Sequence, residues 1–285
     1  MPHLLGASPS RLERKEPTMK TQYMLHEQGK LAYTDYGGMG ELVLMLPGLG
    51  ALRQEYRFLG PALVEAGYHA VAADLRGQGE SSTAWAAYDV PSVGGDILAL
   101  LQHFSGEPVH VIGSSFSCAA FVWAAVEAPQ SIKSLTLIGP FVRDAKPNLI
   151  MKGGIWLMMN NPWRAQTWRM FYATLYPSQK PDDFEDYLDQ LTANLKENGR
   201  FDAVKGFVAA NRQPSDARLT KVQVPTLVVM GTADPDFPDP VAEAKYIVEK
   251  TGGQVALIEG AGHYPQTEVP DVTNPRIIQF LQSVN

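Results

Sequence analysis

Residues 109–120 read VHVIGSSFSCAA: a short apolar run, a glycine, then three serines, Ser114, Ser115 and Ser117, within four positions. The stretch nearly fits G-x-S-x-G, in which a strained strand-to-helix turn lifts a serine hydroxyl above a sheet. Ser117 stands where that pattern has its second glycine. Whether one of these serines is a nucleophile depends on what the rest of the chain supplies: a sheet, a base, an acid and a pair of donors for an oxyanion.

Short, near-continuous apolar runs recur at 42–46, 69–73, 109–112, 135–138, 226–230 and 255–258. Such runs suit strands buried on both faces. Helical spacing fills 58–66, 93–104, 116–128 and 241–250, and the alternation predicts βαβ units in an α/β fold with a mostly parallel, doubly wound sheet. Loops at the carboxyl ends of such strands are where ligand chemistry collects. Two partly alternating runs around Gln28 and Gly29 predict an opening β-hairpin over 22–36. Residues 1–18 are polar and basic with an apolar stretch too short for a signal peptide, so they are expected to be a disordered tail, with Met19 an alternative start.

The rhythm breaks after Pro140 and resumes at Val224. The interval 144–216 lacks a convincing buried strand and is expected to be a helical cap inserted into a core of 19–143 and 217–285. It carries Trp156, Trp163 and Trp168, three of the five tryptophans, with Met151, Met158, Met159 and Met170. Some of these must glue the insertion to the core. Adaptable apolar side chains also suit an apolar pocket, so Trp156, Met158, Met159, Trp163 and Trp168 are the candidate substrate contacts. Asp182, Asp183, Glu185, Asp186 and Asp189 crowd together, but Phe184, Tyr187, Leu188, Leu191 and Leu195 follow helical spacing, which makes the acids the solvated face of an amphipathic helix. No metal site is expected.

A chain of 285 residues, 45% hydrophobic and 19% charged, is long enough to bury a large core. Its net charge of −6 argues against binding nucleic acid or anionic membrane, which needs clustered Lys and Arg. A small or neutral partner is expected. No apolar run approaches the roughly 20 residues of a membrane span. The one cysteine, Cys118, cannot form an internal disulfide and is expected to be a small buried side chain in a cytoplasmic protein.

A serine needs a base, and the base needs an orienting group. Of six histidines, His3 lies in the tail, His26 in the hairpin, His69 and His110 in predicted strands and His103 late in a helix. Only His263 sits in a loop just past a strand, where Gly260, Ala261 and Gly262 let the backbone bend. For the acid, the loop after Met230 offers Asp234, Asp236 and Asp239. Asp234 is nearest the strand end and is favoured; the other two suit a turn or a helix cap.

With these residues in view, the chain from about Met19 onward resembles the α/β-hydrolase superfamily. The resemblance is carried by LPGLG (46–50), ADLRGQGES (73–81), GSSFS (113–117), GTADPDFP (231–238) and GAGHYP (260–265), each at a strand end and in chain order Ser, Asp, His. Sterics choose the serine. Ser115 has Gly113 two before it and small Ser117 two after it, as a tight elbow demands, whereas Ser114 would put Ile112 in the crowded position and Ser117 would lie inside the helix. Ser114 and Ser117 are left as packing residues, and Asp74 and Arg76 as braces of a turn.

The resemblance implies that the backbone N–H groups of Leu49 and Phe116 form the oxyanion hole, with Pro47-Gly48 where the family often has His-Gly. It implies hydrolysis of a small to medium hydrophobic carboxylic ester through an acyl-enzyme on Ser115, with His263 as proton shuttle, Asp234 orienting it, and no cofactor. The same superfamily runs lactone opening, C–C bond cleavage and perhydrolysis, and includes small-molecule receptors that barely turn over their ligand.

Overall fold

The computed structural model describes residues 20–144 and 149–284; the tail expected over 1–18 and residues 145–148 of the expected insertion lie outside them. Eight strands form one sheet: β1 (Gln22–His26), β2 (Gly29–Gly37), β3 (Leu42–Leu46), β4 (His69–Ala73), β5 (Val109–Ser114), β6 (Ile132–Ile138), β7 (Thr226–Gly231) and β8 (Gln254–Ile258). Their order is β1-β2-β4-β3-β5-β6-β7-β8. β1 and β2 are the antiparallel hairpin, β2 meets β4 antiparallel, and every pairing from β4 to β8 is parallel. The hairpin turns at Glu27 and Gln28, with Glu27 at φ 49°, one residue earlier than its sequence pattern suggests.

The apolar runs are continuous because alternate side chains enter different cores. On β3, Leu42, Leu44 and Leu46 face a core shared with α2 (Val90–Phe104) and α3 (Phe116–Glu127), while Val43 and Met45 face one shared with α1 (Leu59–Glu65). On β7, Val228 and Met230 enter the first core, and Leu227 and Val229 the second. A strand with no wet face admits few polar residues, and those present are buried, as where His110 of β5 meets Ser134 of β6 at 2.6 Å.

Between β6 and β7 the chain runs through α4 (Leu149–Asn160), α5 (Arg164–Thr174), α6 (Phe184–Lys196), α7 (Arg200–Ala209) and the short α8 (Gln213–Asp216). A third cluster joins this layer to the core, including Trp168, Tyr172 and Phe201 from the helices, Ala51 and Leu52 after β3, and Tyr264 after β8. On α6, Phe184, Tyr187, Leu188, Leu191 and Leu195 are buried, as their spacing predicts. α9 (Pro240–Thr251), α10 (Pro265–Glu268) and α11 (Pro270–Ser283) complete the chain. From β3 the chain moves to β4 on one side and later to β5 on the other, so the strand order reverses here, and the carboxyl ends of β3 and β5 are where ligand chemistry collects in such sheets. No helix of the described residues is long and apolar enough to cross a membrane.

Candidate active site

Ser115 sits between β5 and α3 at φ 55°, ψ −120°. Apart from Glu27 it is the only non-glycine residue at positive φ among the described residues. Such a backbone persists only when its surroundings over-determine it. Here the Ser115 N–H donates to Ile138 O at 2.8 Å, and its carbonyl accepts from Cys118 N and Phe141 N, each at 3.2 Å. Gly113 supplies the close approach: a Cβ there would come within 2.7 Å of Phe121 Cδ2 and 3.0 Å of Ser117 Oγ.

Ser114 and Ser117 do more than pack. Ser117 Oγ accepts from Ser114 N at 2.9 Å and lies 2.8 Å from Leu46 O, tying the turn at Ser115 to the end of β3. Ser114 Oγ hydrogen-bonds the Tyr56 hydroxyl at 2.8 Å. Cys118 is buried, and burial pushes its thiol well above the ordinary range, which leaves it inert.

His263 and Asp234 come together from the loops after β8 and β7. His263 Nδ1 lies 2.7 Å from Asp234 Oδ2, with both residues buried. The close approach of the two loops needs glycine, since a Cβ on Gly231 would lie 2.1 Å from Gly262 O. His263 N donates to Leu175 O at the end of α5. Burial lowers the imidazole pKa, but the charge and hydrogen bond of Asp234, helped by Asp236 and Glu55, outweigh it and lift the group to about 9.

His263 Nε2 is buried without a hydrogen-bond partner, and Ser115 Oγ makes no hydrogen bond among the described residues. Asp236 Oδ2 is 3.9 Å from Nε2, while the Asp236 N–H donates to Asp234 Oδ1 at 3.0 Å. Asp239 caps α9 by accepting from Ala242 N at 2.9 Å. Asp234, Asp236 and His263 form the one cluster among the described residues close enough to hold a metal ion. In this arrangement Asp234 Oδ2 is engaged with His263 Nδ1, and Asp234 Oδ1 accepts from Asp236 N.

The turn after β3 lies against Ser115. A Cβ on Gly48 would be 3.0 Å from Ser115 Cβ and 2.7 Å from the Tyr264 hydroxyl. Neither Leu49 N nor Phe116 N donates to an acceptor among the described residues, whereas the flanking Gly48, Gly50 and Ala51 amides are all engaged. The helical layer grips the same turn, with Trp168 Nε1 donating to Gly50 O at 2.9 Å and Leu52 N donating to the Tyr187 hydroxyl at 3.1 Å.

Three buried polar residues near the site escape the sequence pattern: Glu55, Gln266 and Glu268. Glu268 accepts from Gly262 N at 2.6 Å and from Ser178 N at 2.7 Å, linking the His263 loop to the helical layer. A usable signal exists for Glu55, which is spaced by four and eight from Leu59 and Leu63, both fully buried. Asp74 and Arg76 brace turns, Asp74 through a buried ion pair with Arg53, and Arg76 through two 2.6 Å bonds to Asp96.

The candidate substrate contacts separate. Trp168 and Met159 are buried in the third cluster, with Met158 half-buried against it. Trp156 and Trp163 are 66% and 72% exposed, and Met170 is exposed too; the Met151 side chain lies outside the described residues. Trp168→Ala is therefore expected to lower unfolding stability by about 3–5 kcal/mol, the usual cost of truncating a buried Trp, and Trp156→Ala and Trp163→Ala by almost nothing. Urea titrations of the three variants check this, and equal costs would contradict the burial pattern.

The sequence model of the family described as alpha/beta hydrolase fold matches residues 41–270. The dihydrolipoyllysine-residue acetyltransferase component of the acetoin cleaving system of Pseudomonas putida is 27% identical over 258 residues, 88% of this chain; the chain spans 66% of that relative's length. The 2-hydroxy-6-oxononadienedioate/2-hydroxy-6-oxononatrienedioate hydrolase 2 of Pseudomonas putida is 27% identical over 266 residues, covering 89% of this chain and 92% of the relative. Among solved structures, a bromoperoxidase from Bacillus anthracis aligns with a TM-score of 0.80 at 20% identity, covering 92% of this chain and all of that one, a likeness of fold.

Proposed function

Because the chain belongs to the α/β hydrolase fold family, we propose that it is a serine hydrolase that cleaves hydrophobic carboxylic esters of small to medium size through an acyl-enzyme intermediate. The observation that carries this is the strained backbone of Ser115 in the turn from β5 into α3, with its hydroxyl left without a hydrogen-bond partner among the described residues. Ser115 Oγ attacks the ester carbonyl carbon while His263 Nε2 takes its proton. Asp234 holds Nδ1 and stabilises the imidazolium.

The carbonyl oxygen, now an anion, meets the free amides of Leu49 and Phe116, each worth about 3 kcal/mol in the transition state. Collapse breaks the C–O bond to the alcohol, which leaves with the proton from Nε2. A water activated by the same nitrogen then releases the acid. The helical layer acts as the cap: its Trp168 and Tyr172, with Leu49 and Tyr264 from the core loops, give the surroundings of the turn an apolar and aromatic character suited to an uncharged acyl or alcohol group.

Two measurements test this together: turnover of nitrophenyl esters from acetate to palmitate, and labelling by a fluorophosphonate probe with peptide mapping. Turnover that peaks at short or medium chains, with the probe on Ser115, is the expected result. No turnover across the panel and no label on Ser115 would reject the proposal.

A further inference from the structure

Glu55 is 1% exposed, and among the described residues no Lys or Arg pairs with it. Its Oε1 accepts from Gln266 Nε2 at 2.7 Å, and its Oε2 accepts from Gly48 N at 3.4 Å. Gln266 Nε2 lies 3.4 Å from Ser114 Oγ, Ser114 Oγ lies 2.8 Å from the Tyr56 hydroxyl, and that hydroxyl donates to Leu46 O at 2.7 Å. Thr267 Oγ1 donates to the Glu55 carbonyl at 2.9 Å. The result is a ring beneath the reaction centre. It touches the turn that carries the Leu49 amide, the residue before Ser115, and the residues three and four beyond His263.

The chemistry proposed above uses none of these groups, and an isolated carboxyl is costly to bury. Burial alone would be served as well by an apolar side chain of the same volume. We infer that Glu55 is a positioning residue, whose carboxylate holds the oxyanion turn in register with the histidine loop. The inference rests on the ester-hydrolase proposal. As a carboxylate, Glu55 accepts from Gly48 N and Gln266 Nε2 at once, whereas a proton on Oε2 sets a donor against the Gly48 amide and one on Oε1 forces the Gln266 amide to turn its unpartnered Oε1 inward.

The groups that face it are Tyr56 and Arg57 beside it, Ser114 and Cys118 from the elbow, Tyr172, Tyr176 and Tyr187 from the helical layer, and His263 and Tyr264 from the histidine loop. Burial pushes its pKa up to about 7, against the opposing pull of Ser114, Gly48 N, His263 and Arg57. Its loss of charge therefore falls within the range of an ordinary pH profile.

The test is kcat and kcat/KM for nitrophenyl butyrate between about pH 5 and 10 in the wild type, Glu55→Gln and Gln266→Met, with melting curves and with probe labelling of Ser115 in the wild type. Glutamine mimics the protonated acid permanently. Glu55→Gln is expected to lower kcat by about 10- to 100-fold at nearly constant KM, part of the effect of losing one oxyanion donor. In the wild type the acid limb of log(kcat/KM) should steepen beyond a slope of about one as pH falls through about 7, whereas in Glu55→Gln that extra step should be absent, since Glu55 no longer titrates. Gln266→Met should lower kcat similarly while keeping the steeper limb.

If Glu55→Gln keeps wild-type kcat and the steeper limb, the inference is overturned. If that variant does not fold, Gln266→Met decides: reduced kcat with an intact melting curve supports the strut, and unchanged kcat rejects it. An active, labelled wild type with indifferent variants removes only this inference, whereas a wild type that neither labels nor turns over esters removes the proposed function.

Discussion

Ser115→Ala is expected to lower ester turnover by on the order of 10⁴-fold or more, with a melting temperature close to that of the wild type, because nucleophile and base act as a unit. What survives is the contribution of the Leu49 and Phe116 amides to a slow attack by water. Stability should hold because Ser115 Oγ makes no hydrogen bond among the described residues, so its removal strands no partner. Alanine also inherits the same strain at φ 55°. Cys118→Ala should be nearly silent in turnover, its thiol being buried and held protonated. Ser117→Ala should act through stability, since it unties Ser114 N and Leu46 O. Activity retained by Ser115→Ala and lost in Ser117→Ala would move the nucleophile two residues along.

Asp234→Asn is expected to cost about 10⁴-fold in kcat by favouring the wrong imidazole tautomer, and Asp236→Asn far less. The difference follows from which nitrogen each acid faces: Asp234 is 2.7 Å from Nδ1, and Asp236 is 3.9 Å from Nε2. The pH profile supplies a second check. A base must be neutral, so activity falls as pH drops through the pKa of His263. Asp234, more than Asp236, raises that pKa by stabilising the imidazolium, toward the value of about 9. Removing either charge shifts the acid limb of kcat/KM to lower pH, further for Asp234→Asn. The opposite ranking in rate and in shift would assign the orienting role to Asp236.

The sheet was legible because two-faced burial writes itself as unbroken apolar runs, and the strands fall within about three residues of those runs. The placement of Ser115, Asp234 and His263 beyond strand ends was legible because each follows an apolar run. Other features were hidden for physical reasons. Gln266 and Glu268 are polar residues in a short helical turn, where solvent exposure is the ordinary expectation, and only three-dimensional closure of the loops buries them; Glu55 shows itself only through its spacing to Leu59 and Leu63. The sequence pattern predicts nothing over 270–283, because Pro270 and Pro275 interrupt it; Pro270 begins α11, and Ile277, Phe280 and Leu281 are buried from its far end. Trp156 and Trp163 were attractive by residue type alone, and residue type carries no information on which way a helix or the turn beside it faces.

The grip of the helical layer on the loops of the candidate site limits how far this chain can be treated as modular. The layer provides the partners of Gly50 O through Trp168, of Leu52 N through Tyr187 and of His263 N through Leu175 O. Cutting the chain down to its sheet would strip three backbone groups in these loops of their partners in a single step. Grafting the corresponding segment from a relative would do the same unless the graft brought an indole, a phenol and a backbone carbonyl to those points. Redesign of selectivity is therefore better confined to side chains that face away from these anchors, with the layer's attachment inherited whole.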